Sequence, residues 1–142
     1  MSARTVFLIK KLEAKVTAEM TITLNEFDVT PLQYSVLSFV ESKGHLFSSA
    51  QLARSFVMTP QSMNEVVAIL IRKEMIEKAT DPNHKRVQRL NLTAKGKTIL
   101  AQCIAAIDVM KENLLRGLDG TELKVFRSLL NKILDEARVV NE

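Results

Sequence analysis

Three polar side chains that can hydrogen-bond to nucleic-acid bases stand together at the start of a predicted helix. Gln61, Ser62 and Asn64 follow the pair Thr59-Pro60. This pair is typical of a helix N-terminus, because threonine can cap the first turn and proline tolerates the first helical position. Gln and Asn can each form two hydrogen bonds with adenine, and base contacts usually come from the first turns of a recognition helix. These positions therefore predict a contact with base edges in DNA.

An apolar stripe on the same helix indicates the side that packs against the rest of the fold. Five apolar residues recur there at helical spacing: Met63, Val66, Val67, Leu70 and Ile71. The polar residues lie on the other faces and are concentrated in the first two turns. The stripe thus predicts a recognition helix that is buried along one side and exposed at its N-terminal end.

A basic β-hairpin is predicted directly after this helix. Residues 75–79 are short and partly apolar, residues 80–84 contain Asp-Pro-Asn, and residues 87–93 carry leucines in alternation. The tip of the hairpin is predicted to bear His84, Lys85 and Arg86. An arginine on such a loop can enter a narrow minor groove, where the potential is most negative. A helix followed by a basic hairpin predicts a winged helix.

The net positive charge of the chain is concentrated around the hairpin. Residues 72–97 hold eight basic and three acidic residues, a balance of +5, whereas the remainder holds 12 and 13, a balance of −1, within totals of 20 and 16. This distribution is the electrostatic footprint expected of a phosphate-binding surface. The alternative is a charged hairpin that is simply solvated.

Length and composition favour one globular domain. The chain has 142 residues, of which 46% are hydrophobic and 25% charged, enough to form a sizeable core. It has no apolar run near the roughly 20 residues that span a bilayer and no signal-peptide cleavage site near the N-terminus. We therefore expect a cytoplasmic protein without a membrane partner. The single cysteine excludes an intrachain disulfide.

Two further helices are predicted to precede the recognition helix. Thr30-Pro31 repeats the start signal seen at Thr59-Pro60, and the helix after it ends near Lys43-Gly44. Ser48 or Ser49 then caps a short third helix. A short helix in this place braces the recognition helix, and its N-terminus can bond a phosphate. The segment of about residues 30–93 is thus predicted to be a winged helix-turn-helix core.

Long amphipathic helices are predicted on both sides of this core, over residues 4–24, 94–116 and 121–140. Gly117 is placed to end the second of them, and Asp119 and Glu122 form a capping-box pattern before the third. A helix as apolar as the first one needs a cover, and a second subunit can supply it. The predicted fold class is mainly α with a small β-hairpin wing (α+β), with dimerisation and pocket-forming helices at about residues 4–24 and 94–140.

Three phrases of the sequence resemble the MarR family of winged-helix regulators. They are TPLQYSVLSFVE, SSAQLARSFVMTPQSMNEVVAILIRKEMIEKA and, the most specific, DPNHKRVQRLNLTAKG. The resemblance covers nearly the whole chain. It implies a homodimer that binds a palindromic operator in double-stranded DNA and usually represses nearby genes. In many members a small aromatic compound or an acyl thioester releases the DNA, and others sense oxidants through cysteine.

The resemblance also assigns individual positions. Arg86 matches the wing-tip arginine of the family, and Gln61, Ser62 and Asn64 fall where its recognition helix faces the major groove. Three positions depart from the pattern. His84 stands where Asp is common, so the salt bridge that steadies the family's wing is not expected at this position. Glu65 replaces a frequent basic residue, and Glu74 replaces the usual Gly after the recognition helix.

Eleven residues form the candidate DNA-binding set. Ser49, Lys73 and Lys85 are predicted to bind phosphates, and Arg86 to read groove shape. The complete set is Ser48, Ser49, Thr59, Gln61, Ser62, Asn64, Lys73, His84, Lys85, Arg86 and Arg89. Tyr34, the only tyrosine, is a candidate ligand contact, and the alternative is a core aromatic residue.

Other chemistry is less well supported by the sequence. His45, His84 and Cys103 show no metal-ligand spacing, and there is no phosphate-binding glycine loop or catalytic constellation. We predict no enzyme activity, metal or cofactor. Two alternatives remain open: a winged helix that docks proteins, which Glu65 on the reading face favours, and a redox sensor that uses Cys103. Cys103 lies on an apolar helical stripe, where cysteine usually behaves as a buried hydrophobe.

Overall fold

Six α-helices and one antiparallel hairpin make up the part of the chain that the structure, a computed structural model, describes. It describes the backbone of residues 2–43 and 48–141 and the side chains of residues 4–43, 48–84 and 88–136. The elements are α1 (Ser2–Leu24), a 3₁₀ turn (Asn25–Phe27), α2 (Pro31–Lys43), α3 (Ser49–Ser55), α4 (Pro60–Arg72), β1 (Ile76–Asp81), β2 (His84–Leu92), α5 (Ala94–Leu114) and α6 (Gly120–Asn141). The predicted fold class is confirmed.

Local capping signals locate most helix ends correctly. Asp119 and Glu122 form the predicted reciprocal cap of α6, with N–H to carboxylate distances of 2.8 and 3.1 Å. The prediction for the end of α5 was wrong by two residues. The helix stops at Leu114 and leaves through a turn, and Gly117 lies in that turn without a positive φ. Gly44, the predicted cap of α2, lies outside the described residues.

The chain divides into two compact units, Met1–Ile107 and Asp108–Glu142. The core of the first unit is built from the apolar faces of its helices and hairpin. It includes Leu24, Val36, Leu37, Leu52, Met63, Val67, Leu70, Ile76, Leu90 and Cys103. The rings of Phe39 in α2 and Phe56 after α3 meet edge to face at a centroid distance of 5.8 Å, a favourable arrangement of aromatic quadrupoles. Met63, Val67 and Leu70 of this core belong to the apolar stripe predicted on α4, so the stripe is the side of the helix that faces the core.

The hairpin turns earlier than predicted. β1 and β2 pair in register from Ile76 opposite Leu92 to Thr80 opposite Gln88, and then the register shifts so that Asp81 faces His84. The turn consists of Pro82 and Asn83, because the Asp81 carboxylate accepts a hydrogen bond from the Asn83 N–H at 2.9 Å and closes the loop there. The three predicted tip residues, 84–86, therefore belong to the start of β2.

Thr93 joins the end of the hairpin to the start of α5 and to the segment after α4. Its hydroxyl donates to the Glu74 carbonyl at 2.5 Å and accepts from the Gly96 N–H at 2.9 Å. Its own N–H donates to the Met75 carbonyl at 3.1 Å. A Cβ added to Gly96 would lie 2.1 Å from that same carbonyl oxygen. The LTAKG phrase thus has a geometric basis, since only glycine permits this approach.

Glu74 adopts a left-handed conformation with φ 60°, at the position where the MarR pattern has glycine. A residue with a side chain loses roughly 1–2 kcal/mol of folding free energy in this region. Glycine avoids this cost, but its unfolded state has a larger conformational entropy, which offsets part of the gain.

We expect Glu74→Gly to raise the free energy of unfolding by roughly 0.5–1 kcal/mol, measured by urea denaturation. Glu74→Ala is the control, because it removes the weak 4.0 Å ion pair with Lys95 but keeps the Cβ; an equal gain in both variants would contradict a backbone origin.

Both terminal helices carry exposed apolar side chains. In α1 four consecutive residues, residues 6–9, are each more than half exposed, at 53–61%. In α6, described by itself, Leu129, Leu130, Ile133 and Leu134 are 44–62% exposed. None of the helices within the described residues has the length and apolarity needed to cross a membrane.

Candidate nucleic-acid interface

The N-terminus of α4 is built by Thr59 as predicted. The Thr59 side chain accepts a hydrogen bond from the Ser62 N–H at 3.1 Å, and its hydroxyl lies 2.9 Å from the Ser62 hydroxyl. Pro60 occupies the first helical turn. These contacts fix the first turn of the helix. They also use the hydroxyls of Thr59 and Ser62 in the cap, whereas no side-chain contact of this cap involves Gln61 or Asn64.

One face of α4 is exposed along its whole length. Gln61, Asn64, Glu65 and Ala68 are all exposed at spacings of three, four and seven residues, which place them on one side of a helix. Arg72 continues the same face into the last turn and is also exposed. Arg72 was predicted to lie away from the apolar stripe, whereas Ala68 was not, although continuation of the same periodicity could have found it.

The short helix α3 is capped by Ser48 rather than Ser49. The Ser48 side chain accepts from the Gln51 N–H at 3.4 Å, and the Gln51 side chain accepts from the Ser48 N–H at 2.9 Å, forming a capping box. Ser49 occupies the first turn and is half-buried. The turn to α4 passes through Val57 in a left-handed conformation. The two helices are therefore arranged as the predicted helix-turn-helix.

A partly buried ion pair joins the two strands of the wing. Arg89 Nη2 and Nε lie 2.7 and 2.8 Å from one carboxylate oxygen of Asp81. The Asp81 side chain is 10% exposed and that of Arg89 28%. The wing therefore has a stabilising salt bridge even though His84 replaces the usual aspartate. Arg89 was predicted to belong to the DNA-binding set, and this role stays a prediction.

The hydrogen bond from the Asn83 N–H, followed by the Arg89 contact, lowers the pKa of Asp81 below its usual 3.8. Such a carboxylate stabilises the folded state at any pH above its unfolded pKa. This contribution is lost as the pH falls through the lower pKa of the folded state.

We expect the wing to be equally protected from amide hydrogen exchange between pH 5 and 8, and to lose protection only below pH 3.8. Asp81→Asn should expose the wing amides at pH 7; unchanged exchange in that variant would contradict the role of the ion pair.

The two basic residues predicted at the wing tip are described only by their backbone. Lys85 and Arg86 lie in β2, in the stretch between His84 and Gln88 where the register shift leaves them beyond the regular pairing with β1. Their side chains lie outside the described residues. His84 is exposed. The predicted roles of these three residues toward DNA stay predictions.

The ammonium group of Lys73 contacts the junction before α2 in the structure. Its Nζ lies 2.6 Å from the backbone oxygen of Asp28 and 3.1 Å from Oε1 of Gln33. The phosphate contact predicted for Lys73 stays a prediction. Because Lys73 and Arg89 both bind acceptors within the protein, the exposed positive charge around the wing is smaller than the count of basic residues indicates. Among the described side chains of residues 72–97, the exposed basic ones are Arg72, Lys78, Lys95 and Lys97.

Tyr34 is half-buried and packs against the core of the first unit. A cavity of about 330 Å³ lies elsewhere in this unit, and its lining does not include Tyr34: it is lined by Val40, Glu41, Glu77, Asn91, Leu92 and Lys97. Cys103 is fully buried, and burial raises the pKa of its thiol. No group of three potential metal ligands occurs among the described residues.

Comparison with known proteins places this architecture in one family. The MarR family model matches residues 27–87. The transcriptional regulator HosA of Escherichia coli O111:H- is 31% identical over 108 residues, which cover 76% of this chain and 79% of HosA. A mutant E. coli MarR in complex with operator DNA is 23% identical with a TM-score of 0.78, covering 89% of this chain and 91% of that one.

A MarR family protein of Mycobacterium tuberculosis in complex with salicylic acid is 24% identical with a TM-score of 0.74, covering 89% of this chain and 93% of that one. The matched family and the curated relatives are transcriptional regulators rather than enzymes. The chain belongs to the MarR family and is a transcriptional regulator of the winged helix-turn-helix type.

Proposed function

We propose that this protein is a homodimeric repressor that binds a palindromic operator and is released from it by a small molecule. The observation that carries the proposal is the exposed face of α4 with its polar residues Gln61 and Asn64, followed in the chain by a wing that the Asp81–Arg89 ion pair holds together. Amide side chains in this position can bond adenine, and Glu65 can accept a hydrogen bond from the amino group of cytosine. The face thus has the chemistry to read a major groove.

The exposed apolar residues of α1 and α6 support the homodimer. A helix surface on which consecutive apolar side chains are more than half exposed is costly in water and marks an interaction site. Two helix-turn-helix units related by a twofold axis match the two halves of a palindrome. E. coli MarR in complex with operator DNA supplies the parallel among proteins of this fold.

The effector part of the proposal rests on the cavity in the first unit and on the salicylic acid complex of the M. tuberculosis protein. A volume of about 330 Å³ is at the small end of ligand sites. Its lining includes Glu41, Glu77 and Lys97, so polar groups would orient whatever binds there. Tyr34 stays a candidate contact only if the effector binds away from this cavity.

The alternative of a protein-docking module rests on Glu65, because a carboxylate on the reading face repels phosphates. The second alternative, a redox sensor, finds little support. Reactive cysteines are partly exposed and have lowered pKa values, whereas Cys103 is fully buried with a raised pKa.

Selection of bound duplexes from a random pool, followed by a salt titration, tests the proposal. A DNA-binding dimer should enrich an inverted repeat, and its log K should fall steeply as log salt rises. A docking module should enrich no sequence and show no steep slope. Screening small aromatic acids and acyl thioesters for release of the selected duplex then tests the effector part.

The wing tip gives a sharper test of the same proposal. If Arg86 enters the minor groove, Arg86→Ala should weaken operator binding by about 1–3 kcal/mol, measured by gel shift at fixed salt. Lys124→Ala, which removes an equal charge from α6, is the matched control and should bind normally. Wild-type affinity in the Arg86→Ala variant would remove the wing tip from the mechanism.

A further inference from the structure

The ammonium group of Lys73 is enclosed by the junction between α1 and α2. Lys73 is the C-cap of α4, 45 residues away in sequence from its partner Asp28. Its Nζ donates to the Asp28 backbone oxygen at 2.6 Å and to Gln33 Oε1 at 3.1 Å, and the Asp28 carboxylate lies at 3.5 Å. The Lys73 side chain is 24% exposed. Two hydrogen bonds and one ion pair thus hold the ammonium group, which has three donors.

The junction that accepts these bonds is itself fixed. The Thr30 N–H donates to Gln33 Oε1 at 3.2 Å, and the Gln33 N–H donates to the Thr30 hydroxyl at 3.1 Å, which caps α2. Asp28 adopts a left-handed conformation, and its N–H donates to the Asn25 carbonyl at 3.1 Å. Gln33 is 7% exposed. Lys73 therefore binds a preformed structure rather than a mobile loop.

This junction follows directly from α1. Leu24, the last residue of α1, is fully buried, and its carbonyl accepts from the Val29 N–H at 3.4 Å. α1 also carries the exposed apolar residues that the proposed dimer would cover. The contact between Lys73 and Asp28 consequently ties the end of the reading helix to the end of a proposed dimerisation helix.

We propose that Lys73 is a positioning residue, which fixes the orientation of α4 relative to α1 and thereby sets the distance between the two reading helices of a dimer. The inference rests on the proposed function, because it concerns how the dimer matches its operator. Half-site spacing is determined by the rigid separation of the two recognition helices. A loosened α4 should tolerate wrong spacings that a fixed α4 rejects.

The test compares the wild-type dimer with Lys73→Met on the selected operator and on versions with one or two base pairs inserted between its halves. We expect Lys73→Met to lose about tenfold in affinity for the operator with native spacing. The ratio of its affinity for the native spacing to its affinity for the altered spacings should fall by a similar factor. The slope of log K against log salt should stay unchanged, because Lys73 makes no phosphate contact. Lys124→Met, a matched loss of charge in α6, should preserve both the affinity and the spacing ratio.

Two results would overturn the inference. In the first, Lys73→Met keeps the wild-type ratio of affinities for native and altered spacings, but its slope of log K against log salt is reduced by about one, which identifies a phosphate contact. In the second, both the affinity and the ratio of Lys73→Met equal those of the wild type. If Lys73→Met fails to fold, Lys73→Arg, whose planar group cannot reach the same three acceptors, is measured with the same expectation. A wild-type protein that binds no duplex would refute the proposed function itself, whereas failure confined to the Lys73 variants refutes only the positioning role.

Discussion

Replacing Gly96 with alanine should destabilise the protein by about 3 kcal/mol or more. The added Cβ would lie 2.1 Å from the Met75 carbonyl oxygen and 2.9 Å from its carbonyl carbon. Both atoms belong to the backbone, so neither can rotate away as a side chain would. The first turn of α5 would have to move from the segment after α4, which would disturb the hydrogen bonds that Thr93 makes to Glu74, Met75 and Gly96.

Thermal unfolding followed by circular dichroism measures this effect. For a chain of this length a loss of 3 kcal/mol corresponds to a midpoint lowered by roughly 10 °C. Gly117→Ala and Gly120→Ala are the matched controls, because nothing lies within 4 Å of a Cβ at either position and neither has a positive φ. Both should unfold near the wild-type temperature. A Gly96→Ala midpoint equal to theirs would show that α5 can shift away from Met75 at little cost.

The parts of the fold that depend on near neighbours could be predicted from the sequence. The Thr59-Pro60 start of α4 and the cap formed by Asp119 and Glu122 are set by residues no more than three positions apart. The stripe on α4 likewise follows from helical periodicity alone. These caps and this stripe arise from interactions between residues that are close in sequence, and the structure confirms them.

The fate of individual charges could not be predicted in this way. A count of basic residues treats each one as exposed to solvent, but Lys73 binds a carbonyl 45 residues away and Arg89 binds a carboxylate across the hairpin. Both contacts depend on how the elements pack, which local patterns do not specify. Two members of the predicted DNA-binding set thus make contacts within the protein that no count of charges could predict.

The conformation of Glu74 could be predicted from the sequence only in part. The MarR pattern has glycine at this position, and the left-handed φ explains why. Sequence comparison could flag the departure. It could not show that the chain keeps the left-handed conformation with glutamate in this position, where the Thr93 hydroxyl also donates to the Glu74 carbonyl.

Disrupting the proposed dimer should have the largest effect on operator binding. Leu130 and Ile133 in α6 are 44% and 62% exposed, and a subunit that covers them would have to bury any charge placed there. The double variant Leu130→Glu with Ile133→Glu should therefore be monomeric, because an unpaired buried carboxylate costs several kcal/mol. Sedimentation equilibrium measures the change directly.

A monomer can engage only one half of a palindrome, and it loses the gain from linking two binding events, which is about 100-fold or more in affinity. The double variant should lose at least that much on the whole operator while keeping a similar affinity for an isolated half-site. Ser128→Glu adds one charge to an exposed polar position of α6 and should leave both assembly and binding intact. If the double variant stays dimeric, these two residues of α6 do not lie in the interface, and the subunits would have to pair through α1 or α5.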